Sequence, residues 1–305
     1  MNIAQQEGLV ITTGIPSLDA IVGGGLHAGD WVGIAGEPGS MKTVLCTKIT
    51  GEWLVNNEQW CAIYVTTEMN GEMMLRQFKS LGYDDKDNGI DCYINSKQFA
   101  VIDACTPGKT PATPEAISRK VVEWARSPDV QSYKQNGGRF LLVIDSLAPL
   151  WSHAAVKARD AFSTLVKNIK GIVDVVIVTL QWAAAGHEFG WGAGHSVDML
   201  IYTGTWYQDE GKFWIQIGKS RTRKTRSRLF DLVLNGNNEL AVGEPISIPG
   251  KYMTAREALE SMKYYNRAQV LDEIPRQRNA LIDQQNKNIK DLADKIEAII
   301  QQSKK

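Results

Sequence analysis

Short apolar runs rich in β-branched residues alternate along this chain with longer stretches in which apolar residues recur at helical spacing. The runs 31–35, 62–66, 140–144 and 175–179 carry almost no polar residue, the pattern of strands buried on both faces. The intervals between them are long enough for crossover helices, which the periodicity places at 42–56, 71–81, 114–126 and 154–172. Thr113 and Pro114 introduce the third helix as cap and first-turn residue. The rhythm is that of an α/β fold with a mostly parallel central sheet flanked by helices. After about Asp198 it changes: 199–202, 213–217 and 229–234 read as successive strands on short turns, an antiparallel extension of the same sheet.

Two further segments complete this first division. The stretch 83–114, with clusters of Asp, Asn, Gly, Lys and Pro, reads as a loop with a small hairpin around 92–102. From Thr254 the chain is polar and helical, and beyond Pro275 apolar residues fall at Ile282, Ile289, Leu292, Ile296 and Ile299. That spacing predicts a C-terminal amphipathic helix, which either packs back on the core or self-associates. The expected division is a core over 1–250 and a helical segment over 251–305.

Composition adds what the pattern leaves open. With 305 residues, 43% hydrophobic and 22% charged, the chain is long enough to bury a sizeable core, which excludes disorder as its default state. Lys plus Arg and Asp plus Glu both number 34, so no bulk field draws it to polyanions and any such partner must be met by a local patch. The four cysteines, Cys46, Cys61, Cys92 and Cys105, fall singly, and the opening residues lack a signal-peptide pattern. The apolar runs are far shorter than the ~20 residues of a membrane helix. The expectation is a cytoplasmic protein with no membrane partner.

The chemistry concentrates in Gly36, Glu37, Pro38, Gly39, Ser40, Met41, Lys42 and Thr43, lying after a strand and before a helix. This nearly fits the GxxxxGK[ST] phosphate loop. In such a loop backbone amides at a helix N-terminus surround the β-phosphate of ATP, Lys42 places charge on the β- and γ-oxygens, and the Thr43 hydroxyl ligates Mg2+. Met41 stands where the pattern has its second glycine, and a non-glycine at positive φ costs on the order of 1–2 kcal/mol. Asp145 ends the run 140–144 and is the expected metal partner of Thr43. Glu68 closes the strand 63–67, as a candidate for polarising the attacking water or as a cap for the helix near Asn70. Gln181 ends the fourth run in the same way, where its amide can sense the γ-phosphate.

Two surface features point to partners. The loop 182–196 mixes Gly186, Gly190, Gly192 and Gly194 with Trp182, Phe189 and Trp191. That composition suits a segment that orders on single-stranded DNA or at a subunit contact. Lys219, Arg221, Arg223, Lys224, Arg226 and Arg228 then crowd a hairpin tip. Lys219 and Arg221 fit cationic fingers that reach a neighbouring subunit's γ-phosphate, while Arg223, Lys224 and Arg226 fit nucleic-acid phosphates.

The run Thr13, Gly14, Ile15, Pro16, Ser17, Leu18, Asp19, followed by Gly23, Gly24, Gly25 and Leu26, resembles the TGIxxLDxxLGGGL opening of the RecA/RadA/KaiC clade of P-loop ATPases. The order then continues as in that group, through the phosphate loop, Glu68, the LLVIDS segment, Gln181 and the KxR hairpin. The resemblance spans roughly 8–240. It implies a RecA-like core, ATP hydrolysis at subunit interfaces, and a homo-oligomer that is a ring, usually hexameric, or a filament. By the same resemblance Glu68 activates water, Lys42, Thr43 and Asp145 hold ATP and magnesium, and Lys219 and Arg221 act in trans. Two functions are expected to compete: a DNA-dependent ATPase of recombination, repair or strand translocation, and a KaiC-like regulatory ATPase that works through protein partners.

Overall fold

The computed structural model describes residues 10–151, 155–181, 196–205, 212–221, 223–225 and 228–245. Their strands are β1 (Val10–Ile11), β2 (Leu26–His27), β3 (Trp31–Gly36), β4 (Cys61–Thr66), β5 (Phe99–Asp103), β6 (Phe140–Asp145), β7 (Val175–Gln181), β8 (Met199–Thr205), β9 (Phe213–Ser220), β10 (Leu229–Leu234) and β11 (Leu240–Pro245). The helices are α1 (Pro16–Val22), α2 (Lys42–Val55), α3 (Gly71–Ser80), α4 (Ile90–Asn95), α5 (Pro114–Ala125), α6 (Pro128–Gln135) and α7 (Ala155–Ile169). β1 and β2 form a two-stranded antiparallel ribbon, and the other nine make one sheet in the order β11-β10-β9-β8-β3-β7-β6-β4-β5. From β5 to β8 every neighbouring pair runs parallel, and β9, β10 and β11 add antiparallel strands at one side.

The β-rich apolar runs form these central strands because alternate residues enter different cores. Val32, Ile34, Ala62, Tyr64, Leu141, Val143 and Ile177 face α2 and α3. Trp31, Ile63, Val65, Leu142, Ile144, Val176 and Val178 face α5 and α7. Both faces of the parallel sheet are thus covered, so the strands carry no polar alternation.

Three expectations need correction. The segment 83–114 is no hairpin: it supplies α4 and then β5, which pairs in parallel with β4 at the sheet edge. A short edge strand preceded by turn-forming residues carries too weak a periodic signal to separate it from a loop. β8 is not part of the antiparallel extension on its inner side, because it lies parallel to β3. The interval between Gln181 and Met199 is long enough to be a crossover rather than a turn. The helices also end slightly earlier than the periodicity placed them, as at α7, which stops at Ile169. Thr113 does cap α5, its hydroxyl accepting the Ala116 amide at 3.2 Å. The C-terminal segment beyond 245 lies outside the described residues.

The opening motif has a structural explanation. The Asp19 carboxylate accepts the Thr13 amide at 2.9 Å and the Thr12 hydroxyl at 2.5 Å, which fixes the entry to α1. Gly25, at φ 136°, passes so close to the Ile11 carbonyl that a Cβ would sit 2.5 Å from its oxygen. The turn is then pinned from the far side of the chain. The Arg223 guanidinium donates to the Gly25 carbonyl at 2.7 Å and pairs with the Asp30 carboxylate, which also accepts the His27 amide at 2.7 Å. The Arg223 and Asp30 side chains are 6% and 4% exposed.

A buried pair that loses one member leaves an uncompensated charge, at about 3–5 kcal/mol. Arg223→Met is therefore expected to lower unfolding stability in urea by about that amount, and adding Asp30→Asn to recover part of it. A loss below about 1 kcal/mol would place the guanidinium at the surface instead.

Candidate active site

Parallel register brings the carboxyl ends of β3, β7, β6 and β4 to one edge of the sheet. Gly36 stands level with Gln181 of β7 and Thr203 of β8, and Thr66 stands level with Asp145. The phosphate loop leaves this edge at Gly36 and enters α2 at Lys42. A Cβ at Gly36 would overlap Ser40 Oγ and the Thr203 carbonyl, so the loop turns tightly against β8. Ser40 and Thr203 share a hydroxyl–hydroxyl hydrogen bond of 3.0 Å beneath that turn.

Met41 occupies the left-handed region at φ 67°, as the position requires, and is the N-cap of α2 without a side-chain hydrogen bond. Its side chain is only 8% exposed and joins the core beneath α2. Burial of the thioether chain thus offsets the backbone strain that a glycine would have avoided. The first-turn amides receive no side-chain acceptor from their cap, so they are available to an anion at the positive end of the helix. Lys42 folds back over the loop and donates to the Gly36 carbonyl at 3.0 Å and to that of Glu37 at 2.7 Å. Burial lowers its pKa, against the opposing charges of Glu68 and Asp145.

Two carboxylates complete the edge. Asp145 is held by hydroxyls from both flanking strands: Tyr64 of β4 donates to Oδ2 at 2.8 Å and Thr179 of β7 donates to Oδ1 at 2.5 Å. Glu68 Oε1 accepts the Ser146 hydroxyl at 2.5 Å. Thr67 ties the same corner, its Oγ1 accepting the Ser146 amide at 2.7 Å and donating to the Ser146 carbonyl at 2.8 Å. Glu68 does not cap α3, because Asn70 does so by accepting the Met73 amide at 2.8 Å. Gln181 is exposed at the end of β7.

Sequence reasoning assigned no role to Tyr64, Thr179, Ser146 or Asp103. The first three are ordinary strand and loop residues whose partners only the register reveals. Asp103 ends β5 as Asp145 ends β6, a signal hidden by reading its strand as a hairpin. Burial on its own would raise the Asp103 pKa. The Gly71 amide, the Lys109 ammonium and the amide and hydroxyl of Thr106 outweigh it and hold the carboxyl well below the usual range. The bond from Gly71 at 3.0 Å ties β5 to the start of α3, next to Glu68.

Lys219 and Arg221 fall elsewhere. Ser220 pairs with Met199, which stands level with Val32, so this end of β9 lies toward the amino edge, away from the phosphate loop. Lys219 donates to the Val197 carbonyl at 2.8 Å, and Arg221 lies 3.6 Å from the Asp198 carboxylate. Arg223, expected among the nucleic-acid contacts, is instead committed to Asp30 inside the protein. Lys224 is exposed. Trp182, Phe189, Trp191 and Arg226 lie outside the described residues.

This fold and edge define a RecA-type P-loop ATPase. The ATPase family named KaiC matches residues 11–244, and the chain belongs to it. A UPF0273 protein of Sulfurisphaera tokodaii is 29% identical over 197 residues, covering 63% of this chain and 68% of that protein. One from Pyrobaculum aerophilum is 28% identical over 192 residues, covering 61% and 66%. The circadian clock protein KaiC3 of Synechocystis is 23% identical over 192 residues, covering 63% of this chain and 36% of its own length. The crystal structure of a KaiC-like protein from Pyrococcus horikoshii superposes with a TM-score of 0.63 at 18% identity, over 77% of this chain and 99% of the other.

The residues present fit the nucleotide and magnesium that this family implies. Lys42 and the uncapped amides of α2 suit the phosphates, while Thr43 and Asp145 supply the hydroxyl and carboxylate oxygens that a hard cation takes. Among the described residues no His, Cys, Asp and Glu cluster offers a competing metal site, and no helix is long and apolar enough to cross a membrane.

Met41→Gly removes about 1–2 kcal/mol of strain but forfeits a buried side chain worth about 2–5 kcal/mol, so a net loss of up to about 4 kcal/mol is expected in denaturant titration. A gain in stability would contradict the seating of Met41 in the core. Asp103 has its pKa depressed on folding, so its contribution is present above its unfolded value and lost as pH falls through the folded one. Asp103→Asn is expected to cost about 1–3 kcal/mol near neutrality, with the gap to wild type closing below about pH 4. A gap that does not change with pH would remove the ionic role.

Proposed function

We propose that this protein hydrolyses ATP at the carboxyl edge of its sheet, with contacts between copies of the chain completing the site, and works as a KaiC-type regulatory ATPase through protein partners. The observation that supports it best is the convergence of Lys42, Thr43, Asp145 and Glu68 at the mouth of the phosphate loop. On binding ATP, Lys42 exchanges the Gly36 and Glu37 carbonyls for β- and γ-oxygens. Thr43 and Asp145 hold the magnesium, which neutralises charge on those oxygens when bound. Glu68 orients the attacking water and accepts its proton. Ser146 engages Oε1 of Glu68, and Oε2 is the oxygen assigned to that water. Gln181, exposed level with the loop, senses the γ-phosphate from the next strand.

Lys219 and Arg221 cannot serve their own chain's nucleotide. Lys219 stands level with Gly33 and Ser220 with Val32, so the pair lies three or more residues, ~10 Å of strand or more, back from Gly36 where the loop begins. Their role is to reach the γ-phosphate bound by an adjacent copy, in a ring, hexameric or otherwise, or in a filament.

A second reading, action on single-stranded DNA in recombination or repair, draws on the exposed Lys224 and on the aromatic and glycine composition of 182–196. It is weakened by the internal pairing of Arg223 and by the balanced charge of the chain.

The test is an ATPase assay with and without single-stranded DNA. Lys42→Ala is expected to abolish hydrolysis, and Glu68→Gln to lower turnover about 10²–10⁴-fold while ATP still binds. Mixing Arg221→Ala with Glu68→Gln should restore activity that neither has alone, and no recovery at any ratio would exclude the trans role. Turnover indifferent to DNA is the expected result. Salt-sensitive stimulation by an oligonucleotide would transfer the conclusion to the DNA reading.

A further inference from the structure

The grip on Asp145 carries an inference that rests on the nucleotide-site reading and deepens it. Tyr64, Asp145 and Thr179 share the α2-facing side of the sheet, since each alternates in step with Ala62, Val143 and Ile177, which lie in that core. Each carboxylate oxygen accepts a hydroxyl hydrogen bond, one from each neighbouring strand. The Tyr64 ring is itself immobilised, fully buried and edge-on to Phe78 at 5.7 Å. Thr179 is equally buried. Above them in α2, the Thr47 hydroxyl donates to the Thr43 carbonyl at 2.7 Å.

The geometry points to Tyr64 and Thr179 as positioning residues that set which lone pairs of Asp145 face the magnesium of bound ATP. An ionised carboxylate has about four acceptor directions. Two are taken by these hydroxyls, so the carboxyl group cannot rotate about its Cβ–Cγ bond without breaking both. Partners of this kind, one shell out from a metal, set its affinity without touching it.

The test is magnesium-dependent binding of a fluorescent ATP analogue to the full chain, with thermal unfolding alongside. Tyr64→Phe and Thr179→Val are each expected to raise the magnesium concentration at half-saturation about tenfold, leaving analogue binding in EDTA unchanged. Thr179→Ser keeps the hydroxyl and should restore the wild-type midpoint. A purely structural role would lower the melting temperature and leave the magnesium midpoint in place, and that result overturns the proposal. If Tyr64→Phe does not fold, Thr179→Val against Thr179→Ser decides through the other oxygen. A wild-type chain that binds no analogue under any condition removes the nucleotide-site reading itself and this proposal with it. A wild-type chain whose variants share its magnesium midpoint removes this proposal alone.

Discussion

The site depends on the parallel register of the central sheet. The strands from β5 to β8 run in the same direction with their ends aligned, so residues that are far apart in sequence arrive at one edge. Thr66 meets Asp145 across one ladder and Asp103 across the other, and Gly36 meets Gln181. A slip of one residue in any of these ladders would turn the carboxylate to the opposite core, because side chains alternate faces. What holds the register is the apolar filling of both faces, together with cross-strand ties at the ends of strands. The paired bonds between Thr67 and Ser146 are such a tie, and the two hydroxyls on Asp145 are another.

The amino edge answers a different need. Asp30, Asp174 and Asp198 lie there against Arg223, Arg139 and Arg221 respectively, and they accept the amides of His27, Phe140 and Trp31 in the same order. Each carboxylate closes the start of a strand or turn while neutralising a cation. The basic run after β9 is therefore not one feature. Arg223 belongs to the interior, Arg221 is half-exposed beside Asp198, and Lys224 faces solvent.

Much of this was legible in the sequence, and the reasons are local. The central strands announced themselves because burial on both faces leaves long unbroken apolar runs. The phosphate loop, Asp145 and Glu68 were legible because each directly follows or ends such a run. β5 was not, since an edge strand of five residues between polar turns carries too little periodicity. The role of Arg223 was hidden because its partner, Asp30, stands 193 positions away, and charge in a basic cluster looks solvated until a buried acid is placed beside it. Tyr64 was concealed by its own strand: a phenol among apolar residues reads as core, and only the neighbouring ladder brings a carboxylate to its hydroxyl. Met41 was visible as a departure, but the burial that makes it tolerable was not.

The central claim is that Lys42, Thr43 and Asp145 surround the phosphates and the metal at the head of α2. It is tested most directly by a crystal structure of the full chain grown with a non-hydrolysable ATP analogue and Mn2+ in place of Mg2+. The account predicts an anomalous manganese peak between the Thr43 hydroxyl and the Asp145 carboxylate, with the Lys42 ammonium moved from the loop carbonyls onto the phosphates. Manganese and analogue bound away from this edge, or Lys42 still on the Gly36 carbonyl with the analogue in place, would contradict it.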